Sequence, residues 1–301
     1  MKYMGLKNRF EYILARCFVS LIQMLPHHLG LRLSRILGFL LFDVLRYRRK
    51  VALENLQIAF GEDASASIAR LGYVSFAMTL ADLARLPLLD KSFITRHVKI
   101  TGFEHLDDAL NSGRGAVLVT GHFGSWELMG WVLAKLGYPL FFAAGRQRNP
   151  YIQRLMSQLR RESGIEMSYF SDAFKLVKAV KSNRFVAMLA DQDAGRKGIF
   201  VEFFGRCAST TRAPAWLSLV TGSPLICGFI IRHGIDDYEI VIEKPVYDGN
   251  PGVRKIDVDL LRRLTQAYTS LIESYIRKHP DHWLWSHRRW KTKQRSEANS
   301  L

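Results

Sequence analysis

The chain has 301 residues, 48% of them hydrophobic, three cysteines and a formal net charge of +16. That length and apolar content suit one or two globular domains and exclude an intrinsically disordered chain. The charge calls for an anionic partner; with no zinc-ligand spacing, RNA-binding aromatic motif or helix-turn-helix signature, it points away from nucleic acid and toward an anionic membrane surface or an acidic protein.

Two apolar runs open the chain, Tyr12 to Leu25 and Leu29 to Tyr47. Arg16 and Gln23 interrupt the first and Arg32, Arg35 and Asp43 the second, so neither is the unbroken stretch that a spanning helix needs. Lys2, Lys7, Arg9 and Arg16 edge the first run, and Arg46, Arg48, Arg49 and Lys50 follow the second. The basic flanks predict that residues 1–50 associate with a membrane, lying in the headgroup region or inserting one helix. Two ordinary amphipathic core helices are the alternative. No small-residue cleavage site follows the first run, which argues against a secretory signal.

Helical spacing runs from Ala64 to Leu86, then a short strand is predicted at Val98 to Gly102 and a short helix at Leu106 to Ser112. Ala116 to Thr120 reads as the central strand, Leu140 to Ala144 as the next. Asn149-Pro150 is a helix start, with Asn as N-cap and Pro at the first position, and the helix is predicted to reach Glu162 with Gly164 at its end. A helix follows from Phe174 to Ser182, a strand from Phe185 to Ala190, a helix from Pro214 to Val220, strands from Leu225 to Arg232 and Tyr238 to Lys244, and a long amphipathic helix from Asp257 to Lys278. This alternation predicts an α/β fold with a mostly parallel central sheet flanked by helices. Residues 293–301 form a polar tail. Cys17, Cys207 and Cys227 are scattered in apolar settings and read as buried thiols of a reducing compartment, with neither a disulfide framework nor a metal site.

The most informative stretch is Thr120-Gly-His-Phe-Gly-Ser-Trp-Glu127. An apolar run, a glycine break and then an apolar helical pattern read as strand, tight turn and helix. This puts His122 and Glu127 at the carboxyl end of a strand, where open α/β sheets place ligands. Five residues on a regular helix turn side chains about 140° apart, so His122 belongs in the turn and Glu127 in the first helical turn, reaching back. A neutral imidazole oriented by a carboxylate is a general base. The alternative is a helix-capping His122 with Glu127 as a solvated first-turn carboxylate. Two ligands are too few for a metal, and the dinucleotide-binding glycine pattern is absent.

The His-x4-Glu spacing after an apolar strand is similar to the motif of glycerolipid acyltransferases. Further segments in the same order extend the likeness: Gly145-Arg-Gln-Arg-Asn-Pro150, Asp191-Gln-Asp193, Lys197 to Gly205, Ala208-Ser-Thr210, Thr221-Gly-Ser-Pro224 and Pro280 to Trp290. Together with Pro26 and Arg49 to Leu56, they resemble the late acyltransferases of lipid A biosynthesis over about residues 10 to 292. Residues 51–292 are accordingly expected to form the acyltransferase domain.

The resemblance implies His122 and Glu127 as the catalytic pair. It places Arg146, Arg148 and Asn149 near the active centre, with Arg146 favoured for an acceptor phosphate, and puts Asp191, Asp193, Arg196, Lys197, Ser209 and Thr210 along the site. From the residues alone, Arg146 and Arg148 suit a phosphate but also a solvated turn, and the two aspartates suit loop structure equally. His282, Trp283, Trp285, His287, Arg288, Arg289 and Trp290 read either as a headgroup-facing cluster or as a segment packed on the core.

The function so implied is transfer of a fatty acyl chain from an acyl carrier protein thioester to a hydroxyl of a lipid A precursor. It would take place at the cytoplasmic face of the bacterial inner membrane, with no cofactor. Coenzyme A is the alternative donor carrier. An ornithine lipid or a mannosylated phosphoinositide is the alternative acceptor, and a non-catalytic membrane-surface protein the reading from another class.

Overall fold

The computed structural model describes residues 2–250 and 256–294; most of the tail expected at 293–301 lies outside them. Four helices lead: α1 (Lys2–Met24), α2 (His27–Phe39), α3 (Arg49–Phe60) and α4 (Ala66–Arg85). Then come α5 (Lys91–His97), β1 (Val98–Thr101), α6 (Glu104–Asn111), β2 (Ala116–Thr120) and α7 (Trp126–Lys135). They are followed by β3 (Leu140–Ala144), α8 (Pro150–Glu162), β4 (Glu166–Tyr169), α9 (Ala173–Lys181) and β5 (Phe185–Leu189). The chain continues through β6 (Ile199–Phe203), β7 (Arg206–Thr210), α10 (Ala213–Thr221), β8 (Leu225–His233), β9 (Asp237–Ile242) and α11 (Val258–Lys278).

Seven strands form one sheet in the order β1-β9-β8-β2-β5-β3-β4. Every neighbouring pair is parallel except β8–β9, which a short turn joins as an antiparallel hairpin. The α/β class and the mostly parallel sheet agree with the sequence reading. β4 is an additional edge strand, and β6 and β7 form a separate antiparallel ribbon where only motif residues had been noted.

All five residues of β2 are buried, as expected for a parallel strand covered on both faces. Their alternation divides the core: Val117 and Val119 face one apolar cluster with α9, α10 and α11, while Ala116 and Leu118 face a second with α4 and α7.

At the centre of the second layer is a buried carboxylate. Asp82 of α4 has no solvent exposure. It accepts from Ser125 Oγ at 2.5 Å, Arg232 Nη2 at 2.5 Å and Tyr238 OH at 2.9 Å. The contacts tie α4 to the β8–β9 hairpin and to the residue that precedes α7. Thr79 Oγ1, one turn earlier, donates to the Gly124 carbonyl at 2.8 Å.

No described helix is long and apolar enough to cross a membrane. α1, α2 and the π-helical turn Leu40–Val44 bury Val19, Ile22, Leu31 and Phe42 against the body. They leave Phe10, Ile13, Leu14, Met24, Ile36, Val44 and Leu45 each more than half exposed. The cysteine expectation holds for buried Cys227 but not for Cys17 and Cys207, which are exposed.

Asp82→Ala removes the acceptor of three donors and leaves the Arg232 guanidinium buried without its counter-charge. It should cost about 3–5 kcal/mol of folding stability, read as a lower urea midpoint at unchanged slope. An unchanged midpoint would contradict this role for the ion pair.

Candidate active site

The turn between β2 and α7 is held in one shape by several independent constraints. Gly124 has φ +57°, and a Cβ there would lie 1.9 Å from the Ile230 carbonyl oxygen, so glycine is required on both counts. The Gly124 amide donates to the His282 carbonyl at 2.9 Å, and the Leu284 amide donates to the His122 carbonyl at 3.1 Å. This places Phe123 opposite Trp283 in an antiparallel bridge. The C-terminal segment therefore pairs with the turn that carries His122.

His122 is at the carboxyl end of β2, and Asp191 follows the end of β5, the strand paired with it. The His122 Nδ1–H donates to Asp191 Oδ1 at 2.7 Å. Asp191 Oδ2 receives the His122 backbone amide at 2.7 Å and the Trp283 indole N–H at 2.7 Å. Burial of Asp191 by itself would raise its carboxyl, but the imidazole and these hydrogen bonds outweigh it and hold the group at about 2. The other imidazole nitrogen, Nε2, accepts from the Gln192 side-chain amide at 3.3 Å. A proton on Nδ1 and a lone pair on Nε2 fit this surrounding.

The structure corrects the expected reach of Glu127 back to His122. Glu127 sits in the first turn of α7, as expected, but it is 2% exposed and its carboxylate is taken by Arg160 of α8. Arg160 Nε donates to Glu127 Oε2 at 3.0 Å and Arg160 Nη2 donates to Oε1. The imidazole instead faces Asp191, which the sequence had placed only along the site.

His122 and the Glu127–Arg160 pair open into one cavity of about 1320 Å³ between the sheet and the helical layer of α1, α4, α7 and α8. Its polar end carries His122, Gln192, Glu127, Arg160 and His287, with Arg146 and Arg148 among its lining residues. The rest of the wall is largely apolar. Register sets Ile226, Leu118, Ala187 and Phe142 side by side across β8, β2, β5 and β3. All four line the cavity, and Met129, Gly130 and Leu133 of α7 cover them.

The remaining expected site residues divide into two groups. Arg146 and Arg148 are exposed in the cavity lining, the Arg146 guanidinium 4.4 Å above the Tyr169 ring. Asn149 is buried at the cavity wall, and its side chain is engaged within the fold. It caps α8, accepting from the Tyr151 amide at 3.0 Å, and donates to the Asn8 carbonyl and to Glu11 of α1. Asp193 reaches the cavity, but its carboxylate accepts from Thr292 Oγ1 at 2.9 Å and from the Gly195 amide. Arg196 and Lys197 are exposed and are not among the residues lining the cavity. Ser209 and Thr210 are wholly buried, Ser209 Oγ donating to the Gly195 carbonyl and Thr210 Oγ1 accepting from Arg289 at 2.5 Å.

Of the two readings for the C-terminal aromatic and basic cluster, core packing is the one seen for its tryptophans. Trp283 and Trp285 are each 1% exposed and Trp290 7%. Arg289, with no exposure, lies 4.9 Å over the Phe203 ring. Sequence reasoning missed Arg160, Gln192 and the indole of Trp283 as neighbours of the reactive groups. Arg160 left a signal. It continues the Ile152, Leu155, Met156, Leu159 stripe of α8, an apolar face on which a charge needs a partner.

His287 accepts the Asp193 amide at 3.1 Å through Nε2, and burial pulls its imidazole down to about 4. An unfolded chain takes up this proton near pH 6.5, whereas the folded protein resists it until about pH 4. Stability therefore falls as the pH drops through that window. The loss between pH 7 and pH 5, followed by chemical denaturation, should be smaller in His287→Gln. Equal losses in both proteins would contradict it.

Comparison with known proteins shows which sequences the chain resembles. The chain is 28% identical over 176 residues to the phosphatidylinositol mannoside acyltransferase of Mycolicibacterium smegmatis, a match that covers 56% of this chain and 58% of the relative. It is 29% identical over 221 residues to the enzyme of that name in Mycobacterium tuberculosis, covering 69% of this chain and 66% of the relative. The chain thus spans less than two thirds of these mycobacterial proteins. It is 25% identical over 281 residues to the lipid A biosynthesis palmitoleoyltransferase of Escherichia coli K12, covering 91% of this chain and 89% of the relative. The family model for bacterial lipid A biosynthesis acyltransferases matches residues 7–292, and the chain belongs to that family.

Proposed function

We propose that the protein transfers a fatty acyl chain from an acyl carrier protein thioester to a hydroxyl of a lipid A precursor, with His122 as general base. The supporting observation is the orientation of His122: Nδ1 is bound to buried Asp191, and Nε2 is turned toward the polar end of a long, largely apolar cavity. The acceptor hydroxyl replaces the Gln192 amide at Nε2. Its oxygen attacks the thioester carbonyl as Nε2 takes the proton, and Asp191 stabilises the imidazolium that forms. The tetrahedral intermediate then expels the thiolate, which recovers the proton from His122, leaving an ester and a thiol. No nucleophilic serine or cysteine intervenes, so both substrates are bound together.

In this reading Glu127 holds Arg160 at the cavity wall, where the guanidinium and the first amides of α7 face the charge developing on the thioester oxygen. The acyl chain occupies the apolar part of the cavity. Arg146 and Arg148 suit an anionic headgroup. Lys7, Asn8 and Glu11 of α1 also line the cavity, so the exposed apolar face of α1 and α2 brings its opening to a membrane surface. We place the protein at the cytoplasmic face of the inner membrane, where a soluble acidic donor and a lipid acceptor meet.

The identity to the two mycobacterial relatives favours a mannosylated phosphoinositide as the second acceptor to consider. Lipid extracts of a deletion strain, analysed by mass spectrometry, separate the acceptors. The loss of one acyl chain from lipid A supports the proposal, and an unchanged lipid A overturns it.

His122→Ala and Asp191→Asn should each lower kcat by at least about a hundredfold, the low end for a general base, in a protein that still unfolds cooperatively but at a lower midpoint. Near wild-type turnover in either would remove that residue from the mechanism. Glu127→Ala is expected to lower stability as well as activity, by about 3–5 kcal/mol, because it strands the buried Arg160 charge.

The protein should sediment with vesicles of anionic phospholipid, and high salt should release it only in part, because apolar side chains insert as well as basic ones binding the surface. Replacing Phe10, Ile13 and Leu14 with serine should make release by salt complete. Complete release of the unmodified protein by salt alone would contradict insertion.

A further inference from the structure

We infer that Phe142, seated against Gly130, sets the length of acyl chain that the protein transfers. The inference rests on the proposed acyl transfer and concerns the apolar part of the cavity. The thioester must lie at the carboxyl end of the sheet, where His122 is, so the alkyl chain runs toward the strands' amino ends, beneath α7.

Phe142 stands in its path. It projects from β3 into the cavity, and its ring spans the gap to the backbone of α7 at Gly130. A Cβ at residue 130 would lie 2.0 Å from Phe142 Cζ and 2.6 Å from Cε1. Only glycine at that position lets the ring lie so close to the helix. Beyond the ring the cavity continues to Leu140, two residues deeper on β3, and Leu133, three residues farther along α7. Two residues of strand correspond to about 6.6 Å, a depth of several methylenes. Phe142 is therefore a constriction rather than the floor. Ala187, its register partner on β5, leaves a passage beside the ring because its side chain is a single methyl group.

The two residues make opposite predictions. A smaller side chain at 142 opens the lower end of the cavity to longer chains. A methyl group at 130 displaces the ring from its slot, and the remaining space is the passage over Ala187, so the chain that fits becomes shorter. Each methylene gained or lost from burial should change relative kcat/KM by about fourfold, from about 0.8 kcal/mol per buried methylene.

The test is pairwise competition among acyl carrier protein thioesters from decanoyl to octadecanoyl, with the full-length protein in detergent and one lipid acceptor, the products being weighed by mass spectrometry. Phe142→Leu should move the preferred chain about two to four methylenes longer and Gly130→Ala should move it shorter. The double variant should return toward the Phe142→Leu profile, since the conflicting ring is gone. Should Gly130→Ala not fold, Phe142→Leu carries the test alone. A Phe142→Leu protein that transfers with the unmodified chain-length profile overturns the inference and leaves the proposed function standing. An unmodified protein that transfers none of these chains to a lipid A precursor as that acceptor overturns the proposed function and the inference with it.

Discussion

The site depends on one buried carboxylate. Asp191 is 3% exposed and accepts three donors, each at 2.7 Å: the His122 imidazole, the His122 backbone amide and the Trp283 indole. A carboxylate out of water is costly unless hydrogen-bonded and compensated, and here these donors supply that compensation. The contacts connect three distant parts of the chain: the end of β5, the turn after β2 and the C-terminal segment. The interaction that orients the imidazole is therefore also one that closes the fold around it.

The same pattern recurs one layer away. Asp82 gathers Ser125, Arg232 and Tyr238, and Thr79 holds the Gly124 carbonyl. The turn bearing His122 is thus held from α4 on one side and from residues 282–284 on the other, and Gly124 fits tightly beneath Ile230. Breaking either buried pair costs more than its net contribution to stability, because the partner left behind is a buried charge. Rigid support of this kind keeps a base within hydrogen-bonding reach of a substrate hydroxyl.

Much of this was legible in the sequence where the signal is local. β2 and β3 begin and end at the predicted residues, and α8 runs from Pro150 to Glu162 because Asn149 caps it and Pro150 starts it. The position of His122 followed from a glycine break after an apolar strand. The partner of His122 was not legible, because it depends on strand order. β5 lies beside β2 although 64 residues separate Thr120 from Phe185, and no local spacing encodes that adjacency. Glu127 has the right spacing to attract a pairing with His122, yet its neighbour in space is an arginine of α8. The β6–β7 ribbon escaped notice because its residues were read as motif rather than as period-two alternation. The C-terminal tryptophans fit an interface as well as a core by type, and only their burial, with Trp283 and Trp290 packed against Phe203, distinguishes the two.

Cavity and carboxylate divide the work between them. The sheet face and α7 leave an apolar space bordered by small residues such as Gly130 and Ala187, and His122, Glu127 and Arg160 line the same cavity. Everything proposed for His122 requires its proton to reside on one particular imidazole nitrogen. The most direct measurement is the tautomer of His122 by nitrogen-15 NMR of the labelled imidazole at neutral pH, assigned with His122→Ala. A protonated Nδ1 held by Asp191 and an unprotonated Nε2 are expected, with the bias reduced in Asp191→Asn. A proton resident on Nε2 in the unmodified protein would contradict this role for His122.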